Sequence, residues 1–387
     1  MKVAFIIPNL YPPSGNTVTV VRYIEEAAKY CDRIILFQSY PFRDENDHYF
    51  KLLSSMNNVK VITLRFGWYK LVEFTRFLPC GYFFHYLYFP LFVFVRRRHN
   101  ESLFRSTLKG FNGIYAFDFV DSDIFPKDAP PVIVGTHNQK MGPLKVDAIN
   151  HGIILKRAAG IRLFNSESKF LKSFQRKQAR VIPKGVNTDL FYPRNGNKNE
   201  KLRFLYVSRL EPRKGLDILL EAWKLSSVVQ RAELHIVGSG SLSSVVQSSD
   251  QKGIIYHGAL FDQDLAKVYR QCDVFIFPTE WDAQPSVLVE ALSSGLFTLC
   301  SDRLTGIHDD FKNEGFLEYV KNDSKSFSIA IKETVSQWSE DFEKRQRMHN
   351  KVAEHLSQAN EVQMILQFIS NLNQQKDGDH VDQLHHT

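Results

Sequence analysis

Cysteine is scarce in this chain: Cys31, Cys80, Cys272 and Cys300 lie far apart in 387 residues and share no CxxC or other metal-ligand spacing. That excludes a disulfide framework and a zinc site, and leaves buried thiols in a reducing compartment as the reading. Long apolar runs are missing too. The start, MKVAFIIPNLYPPSG, has one lysine and a five-residue apolar run before a proline, which suits a buried first strand and not a leader peptide. A cytoplasmic location is therefore expected. The aromatic run from Tyr82 to Val95 contains His85 and Pro90 and falls short of the roughly 20 residues a spanning helix needs. No GxGxxG fingerprint follows the first strand, which removes most of the case for a nicotinamide enzyme. No recognised nucleic-acid module accompanies the positive charge, so nucleic acid is not an expected partner.

What is present reads as a globular protein, 43% apolar and 24% charged, long enough for two domains of roughly 150 to 200 residues each. Short runs rich in Val, Ile, Phe and Leu alternate with helical patterns, the rhythm of βα units and parallel sheets. In the first half the strands are predicted at 3–9, 33–38, 59–66, 113–119, 131–137 and 161–168, and in the second at 202–210, 232–240, 253–260, 273–280 and 296–302. Between the halves, YPRNGNKNEK (192–201) has the composition of a linker. The predicted division is a first domain over 1–190 and a second over 191–357. A final helix over about 358–373 carries Val362, Ile365, Leu366 and Ile369 as one apolar stripe, which must dock on something. The polar end, 374–387, is expected to be disordered, and its histidines lack a ligand pattern. Charge is unequally divided: residues 1–190 hold 27 Lys+Arg against 15 Asp+Glu, the remainder 22 against 27. The two halves should face different partners.

Doubly wound domains bind ligands at the carboxyl ends of their strands, which directs attention to the strand ends. After the first strand, Gly15 precedes a helix and would let backbone amides approach an anion, the alternative being an ordinary βα turn. In VSRLEPRKGLDILLEAW, Arg209, Arg213 and Lys214 gather between a strand and a helix opening at Gly215. Cations there oppose the helix dipole unless an anion sits among them, so the loop binds phosphate or is simply solvated. PTEWDAQPSVLVEALSSG offers the complement. Pro285 suits the first helical position, leaving the amides of Ser286, Val287 and Leu288 to meet a diphosphate. Glu290, a turn further on, would accept hydrogen bonds from ribose hydroxyls, and Asp282 would face whatever lies beyond the diphosphate. The plainer alternative makes Asp282 a loop or capping residue and Glu290 a surface acid. His137 ends a strand, where a lone histidine serves either the site or the structure.

These residues resemble the retaining glycosyltransferases of family 4. The resemblance is carried by IPKGVNTDLFYP (182–193), SRLEPRKG (208–215), HIVGSGSL (235–242) and the block from Tyr256 to Gly295. It implies the GT-B fold, two Rossmann-like doubly wound domains facing a central cleft, and transfer of a sugar from a nucleoside diphosphate sugar to a hydroxyl acceptor. Arg209 and Lys214 would then hold the donor diphosphate and the leaving group. Glu290 would hold the ribose, the backbone at Gly15 would meet the phosphates, and His137 would approach the transferred sugar. The final helix would cross back onto the first domain. Asp282 departs from the usual Glu of the family's acidic pair by one methylene, and Ala283-Gln284-Pro285 from its usual Gly-Phe-Gly or Gly-Phe-Pro. No cofactor or metal is required on this reading; the DSD at 121–123 is taken as solvated loop. A nucleotide-sugar epimerase and an inactive nucleotide-sugar-binding subunit are the alternatives.

The aromatic run is followed by Arg96, Arg97 and Arg98, in the more basic half. Large aromatics beside a basic cluster suit a surface lying on anionic lipid, and a buried helix with a basic end is the alternative. The first implies a peripheral protein on the cytoplasmic face with a lipid-linked or glycan acceptor.

Overall fold

The computed structural model describes residues 1–7, 15–38, 48–64, 94, 97–117, 124–135, 158–164, 178–196, 199–248, 252–282, 285–305 and 308–384. The chain forms two units, one of Met1–Pro183 with Glu361–Thr387, the other of Lys184–Asn360.

The first unit holds strands β1 (Lys2–Ile7), β2 (Arg33–Gln38), β3 (Val59–Thr63), β4 (Gly113–Ala116), β5 (Val132–Gly135), β6 (Gly160–Leu163) and β7 (Gln178–Val181), with helices α1 (Gly15–Ala28) and α2 (His48–Ser54) between the early strands. Its sheet order is β3-β2-β1-β4-β5-β6-β7, every neighbouring pair parallel. Parallel sheets are covered on both faces, so their strands are apolar throughout instead of alternating. β1 shows this: Val3, Phe5 and Ile7 enter the core on one side of the sheet and Ala4 and Ile6 that on the other.

The second unit runs β8 (Leu202–Val207), α3 (Leu216–Ser226), β9 (Ala232–Val237), β10 (Ile254–Tyr256), α4 (Asp262–Gln271), β11 (Val274–Phe277), α5 (Ser286–Ser293), β12 (Phe297–Ser301), β13 (Leu317–Val320), α6 (Ser324–Gln337) and α7 (Phe342–His355). Its parallel sheet has the order β10-β9-β8-β11-β12-β13. In each sheet the winding reverses beside the first strand, between β1 and β4 and between β8 and β11. A crevice opens at the carboxyl ends at such a switch point.

A last helix, α8 (Gln358–Leu384), begins in the second unit and from Glu361 belongs to the first. Its stripe of Val362, Ile365, Leu366 and Ile369, joined by Phe368 and Leu372, is buried in the first unit's core. Burying each such side chain contributes about 2 kcal/mol, enough to hold the helix in place. Glu361 pairs with Arg162 Nη2 at 2.6 Å, with neither side chain more than 6% exposed. The same guanidinium donates to the carbonyls of Ile182 and Pro183 and to Tyr115 Oη.

Several expectations are corrected. β2 spans its predicted residues, whereas the predicted strands of the second unit end short of their carboxyl limits, and β7 and β13 were not expected. The division falls at Pro183 and not at 190, because Val186, Leu190 and Phe191 are packed into the second unit's core. Residues 374–384, expected to be disordered, continue α8. Pro285 is the N-cap of α5 and not its first helical residue.

Candidate functional site

The switch point of the second sheet sends two loops from neighbouring strands, β8 and β11, into α3 and α5. The first contains Arg209, Glu211, Arg213 and Lys214, the second Asp282 and Pro285. They are fastened to each other through the backbone: Glu280 N–H donates to Arg213 O at 3.0 Å and Thr279 Oγ1 to the same carbonyl at 3.3 Å. Pro212–Lys214 form a single 3-10 turn closed by Gly215 at φ 72°. A Cβ there would lie 1.8 Å from Pro278 O, so only glycine lets the loops approach this closely. The loop after β9 lies against the backbone of Ser208 and Leu210. Gly238, at φ 136°, brings its Cα against Ser208 O, where a Cβ would again sit at 1.8 Å, and Leu210 N–H donates to Ser239 O.

Lys214 is the most enclosed of the expected cations, at 8% exposure. Its Nζ lies 2.6 Å from Asp282 Oδ2 and 5.7 Å from the centroid of the Phe277 ring, and its carbonyl accepts from Tyr206 Oη. Asp282 thus touches the cation expected for phosphate, and does not stand apart from it as the sequence suggested. The pair joins residues 68 apart in sequence. Arg209 is solvent-facing and bonds Glu211 at 2.8 Å; Arg213 Nε reaches the other Glu211 oxygen at 3.3 Å.

At the head of α5, the Leu288 amide, expected to be free, donates to Pro285 O at 3.1 Å, while helical geometry offers the amides of Ser286 and Val287 no intrahelical acceptor, which leaves them suited to an anion. Glu290 is 8% exposed, with Leu288, Val289, Ala291 and Leu292 around it fully buried, so it is not a surface acid. Tyr269 Oη on α4 contacts Glu290 Oε2 at 3.1 Å and the Val287 carbonyl at 3.3 Å. That hydroxyl fixes the direction of the carboxylate and was not anticipated; nothing in the sequence spacing connects it with Glu290. Glu211 was also passed over, although it stands between the two arginines.

In the first unit, Gly15 opens α1 after β1. Its preceding loop, His137, the DSD at 121–123, Arg96 and nearly all of the aromatic run lie outside the described residues. Arg97 is half-buried, and Arg98 is exposed and paired with Glu101 at 3.5 Å. Among the described residues no helix is long and apolar enough to cross a membrane, and no three His, Cys, Asp or Glu side chains are grouped to hold a metal ion.

Residues 188–355 match the family model described as glycosyl transferases group 1. Two relatives of the chain are UDP-Gal:alpha-D-GlcNAc-diphosphoundecaprenol alpha-1,3-galactosyltransferase of Escherichia coli and an uncharacterized 41.2 kDa protein in the cps region of Klebsiella pneumoniae. The former is 30% identical over 39% of this chain and 43% of its own length, the latter 26% over 38% and 40%. The matches therefore span about two fifths of these relatives. Among solved structures, sucrose-phosphate synthase from Thermosynechococcus elongatus superposes with a TM-score of 0.71 at 17% identity, covering 96% of this chain and 98% of its own. Anabaena HepE, solved with UDP and glucose, gives 0.64 at 15% identity over 96% and 99%. These likenesses establish a shared GT-B fold.

Proposed function

From the premise that the second unit belongs to the glycosyl transferases group 1 family, we propose that the chain is a retaining glycosyltransferase that moves a sugar from a nucleoside diphosphate sugar to a hydroxyl acceptor. The observation that carries this reading is the meeting of Lys214 and Asp282 at 2.6 Å on the two loops of the switch point, beside the amide-rich tip of α5.

In this reading the diphosphate lies at the Ser286 and Val287 amides, with Arg209 and Lys214 beside it. Negative charge grows on the leaving diphosphate as the sugar departs, and preorganised cations and amides stabilise that state more than the ground state. Lys214 is already fixed by Asp282, so little reorganisation is needed at the moment of reaction. Glu290, held by Tyr269, receives the ribose hydroxyls. Asp282 adjoins the sugar-bearing side, where the shorter acid is compensated by its contact with Lys214. His137 and the Gly15 loop are the first unit's contributions. Protein groups meet the developing charge, so turnover should be indifferent to chelation of divalent ions.

For the acceptor we favour a lipid-linked hydroxyl or glycan at the cytoplasmic face of a membrane, with Arg96, Arg97 and Arg98 on anionic lipid. Support comes from the more basic first half and from the name of the Escherichia coli relative, whose acceptor is carried on diphosphoundecaprenol.

The test is a thermal-shift panel of nucleotide sugars. A bound donor at about 100 times its Kd adds ~2.7 kcal/mol. Glu290→Gln should reduce that shift, and nucleoside diphosphate should be released only when an acceptor is supplied, with or without EDTA. No shift with any nucleotide sugar, or equal shifts for wild type and Glu290→Gln, would overturn the assignment.

A further inference from the structure

Glu211 spans two arginines with its two oxygens. Arg209 Nη1 donates to Oε1 at 2.8 Å and Arg213 Nε to Oε2 at 3.3 Å. An anion whose oxygens each take a guanidinium N–H is also how a phosphate is gripped by paired arginines. The backbone under this arrangement is firm. Lys214 N–H donates to Glu211 O and Gly215 N–H to Pro212 O, while Arg213 O holds the neighbouring loop through Glu280 and Thr279. The side chains above it are looser: Arg209, Arg213 and Glu211 are 64, 34 and 32% exposed. Ion pairs so open to water are weak and easily exchanged. Fixed roots with exchangeable heads are what an anion-binding loop needs between turnovers.

Resting on the reading above, we propose that Glu211 is an internal stand-in for the donor's phosphate, and that Arg213 joins Arg209 as a diphosphate ligand once Glu211 turns away. The exchange moves no proton and breaks no covalent bond. One carboxylate leaves two guanidinium groups, and a diphosphate of higher charge takes them. Glu211 thereby sets a threshold: an anion must outcompete a carboxylate to occupy the loop. Arg213, adjacent to Lys214, would then widen the cationic rim at the β8 end of the site.

Titration with inorganic pyrophosphate tests this without knowledge of the base. Glu211→Gln keeps the shape and removes the charge, and should tighten binding by about fivefold, the factor that an exposed ion pair carries. Arg213→Ala should weaken binding, and in the Glu211→Gln background should cancel most of the gain. The advantage of Glu211→Gln should shrink as KCl is raised toward about 1 M, where the screening length falls to ~3 Å; a change in loop shape alone would persist. Unchanged or weaker binding by Glu211→Gln, or unchanged binding by Arg213→Ala, overturns the proposal. If Lys214→Ala abolishes binding while Glu211→Gln has no effect, only this inference falls. A wild-type chain that binds neither pyrophosphate nor any nucleotide sugar removes the functional reading with it.

Discussion

Replacing Glu361 with Gln removes the negative partner of a guanidinium that has no access to water. Arg162 is 0% exposed and its Nη2 sits 2.6 Å from the Glu361 carboxylate. At an effective dielectric near 20 the lost attraction is about 6 kcal/mol. Part of this is recovered, because the carboxylate's own burial cost disappears with it. Breaking such a pair on one side has a net cost of about 3–5 kcal/mol. Arg162 keeps its bonds to Ile182 O, Pro183 O and Tyr115 Oη, so the lower end is expected. Trp223, Trp281 and Trp338, three of the four tryptophans, belong to the second unit. Urea unfolding followed by far-UV circular dichroism should therefore show an early transition in Glu361→Gln, while most of the tryptophan fluorescence change stays at its wild-type midpoint. The double variant Arg162→Met, Glu361→Leu should recover most of the loss, since no buried charge is left uncompensated. A single-variant cost under about 1 kcal/mol, or a fluorescence transition that moves with the dichroism, would refute the reasoning.

Lys214→Ala should lower kcat by about 10²- to 10³-fold, the usual loss of one preorganised group facing leaving-group charge, and turnover within tenfold of wild type would exclude Lys214 from that role. His308 supplies a pH dependence. Its ring is 4% exposed, with no hydrogen-bond partner at Nε2 among the described residues, and burial pushes its pKa down to about 4 while Asp310 and Asp309 oppose the shift. The unfolded chain binds that proton near pH 6.5 and the native state does not, so stability is full above 6.5 and falls as pH drops toward 4. The share lost between pH 7 and pH 5 is about 2 kcal/mol. His235, lowered to about 4 by burial and by His257, acts in the same direction. Urea midpoints measured across this range should slope less steeply in His308→Gln; an identical slope would show that His308 is accessible to solvent protons.

The strands were legible because buried parallel strands are runs of Val, Ile, Phe and Leu. β7, QARV, escaped notice because it is largely exposed, with no apolar run to mark it. The linker composition of 192–201 misplaced the division: it reported polarity, whereas Leu190 and Phe191 just before it are anchored by packing. At the site, Arg209, Lys214 and the α5 tip could be found from charge set against helix ends. The Lys214–Asp282 contact could not, because a pairing across 68 residues leaves no periodic trace. Glu290 did carry a signal, an acid inside an otherwise apolar helix, which implied a buried carboxylate in need of a partner. That partner, Tyr269, lies on another helix and becomes visible only when α4 and α5 are packed.

The route of the chain between its units bears on synthesis. Lys184–Asn360 is one uninterrupted stretch, while the unit before it is closed only by residues from Glu361 onward. On a ribosome, the later-made unit can therefore finish folding first. The earlier one must wait, its sheet partly uncovered, until the last helix emerges. Nascent chains stalled before residue 361 should bind chaperones through that open face, and release should follow translation of the residues that cover it.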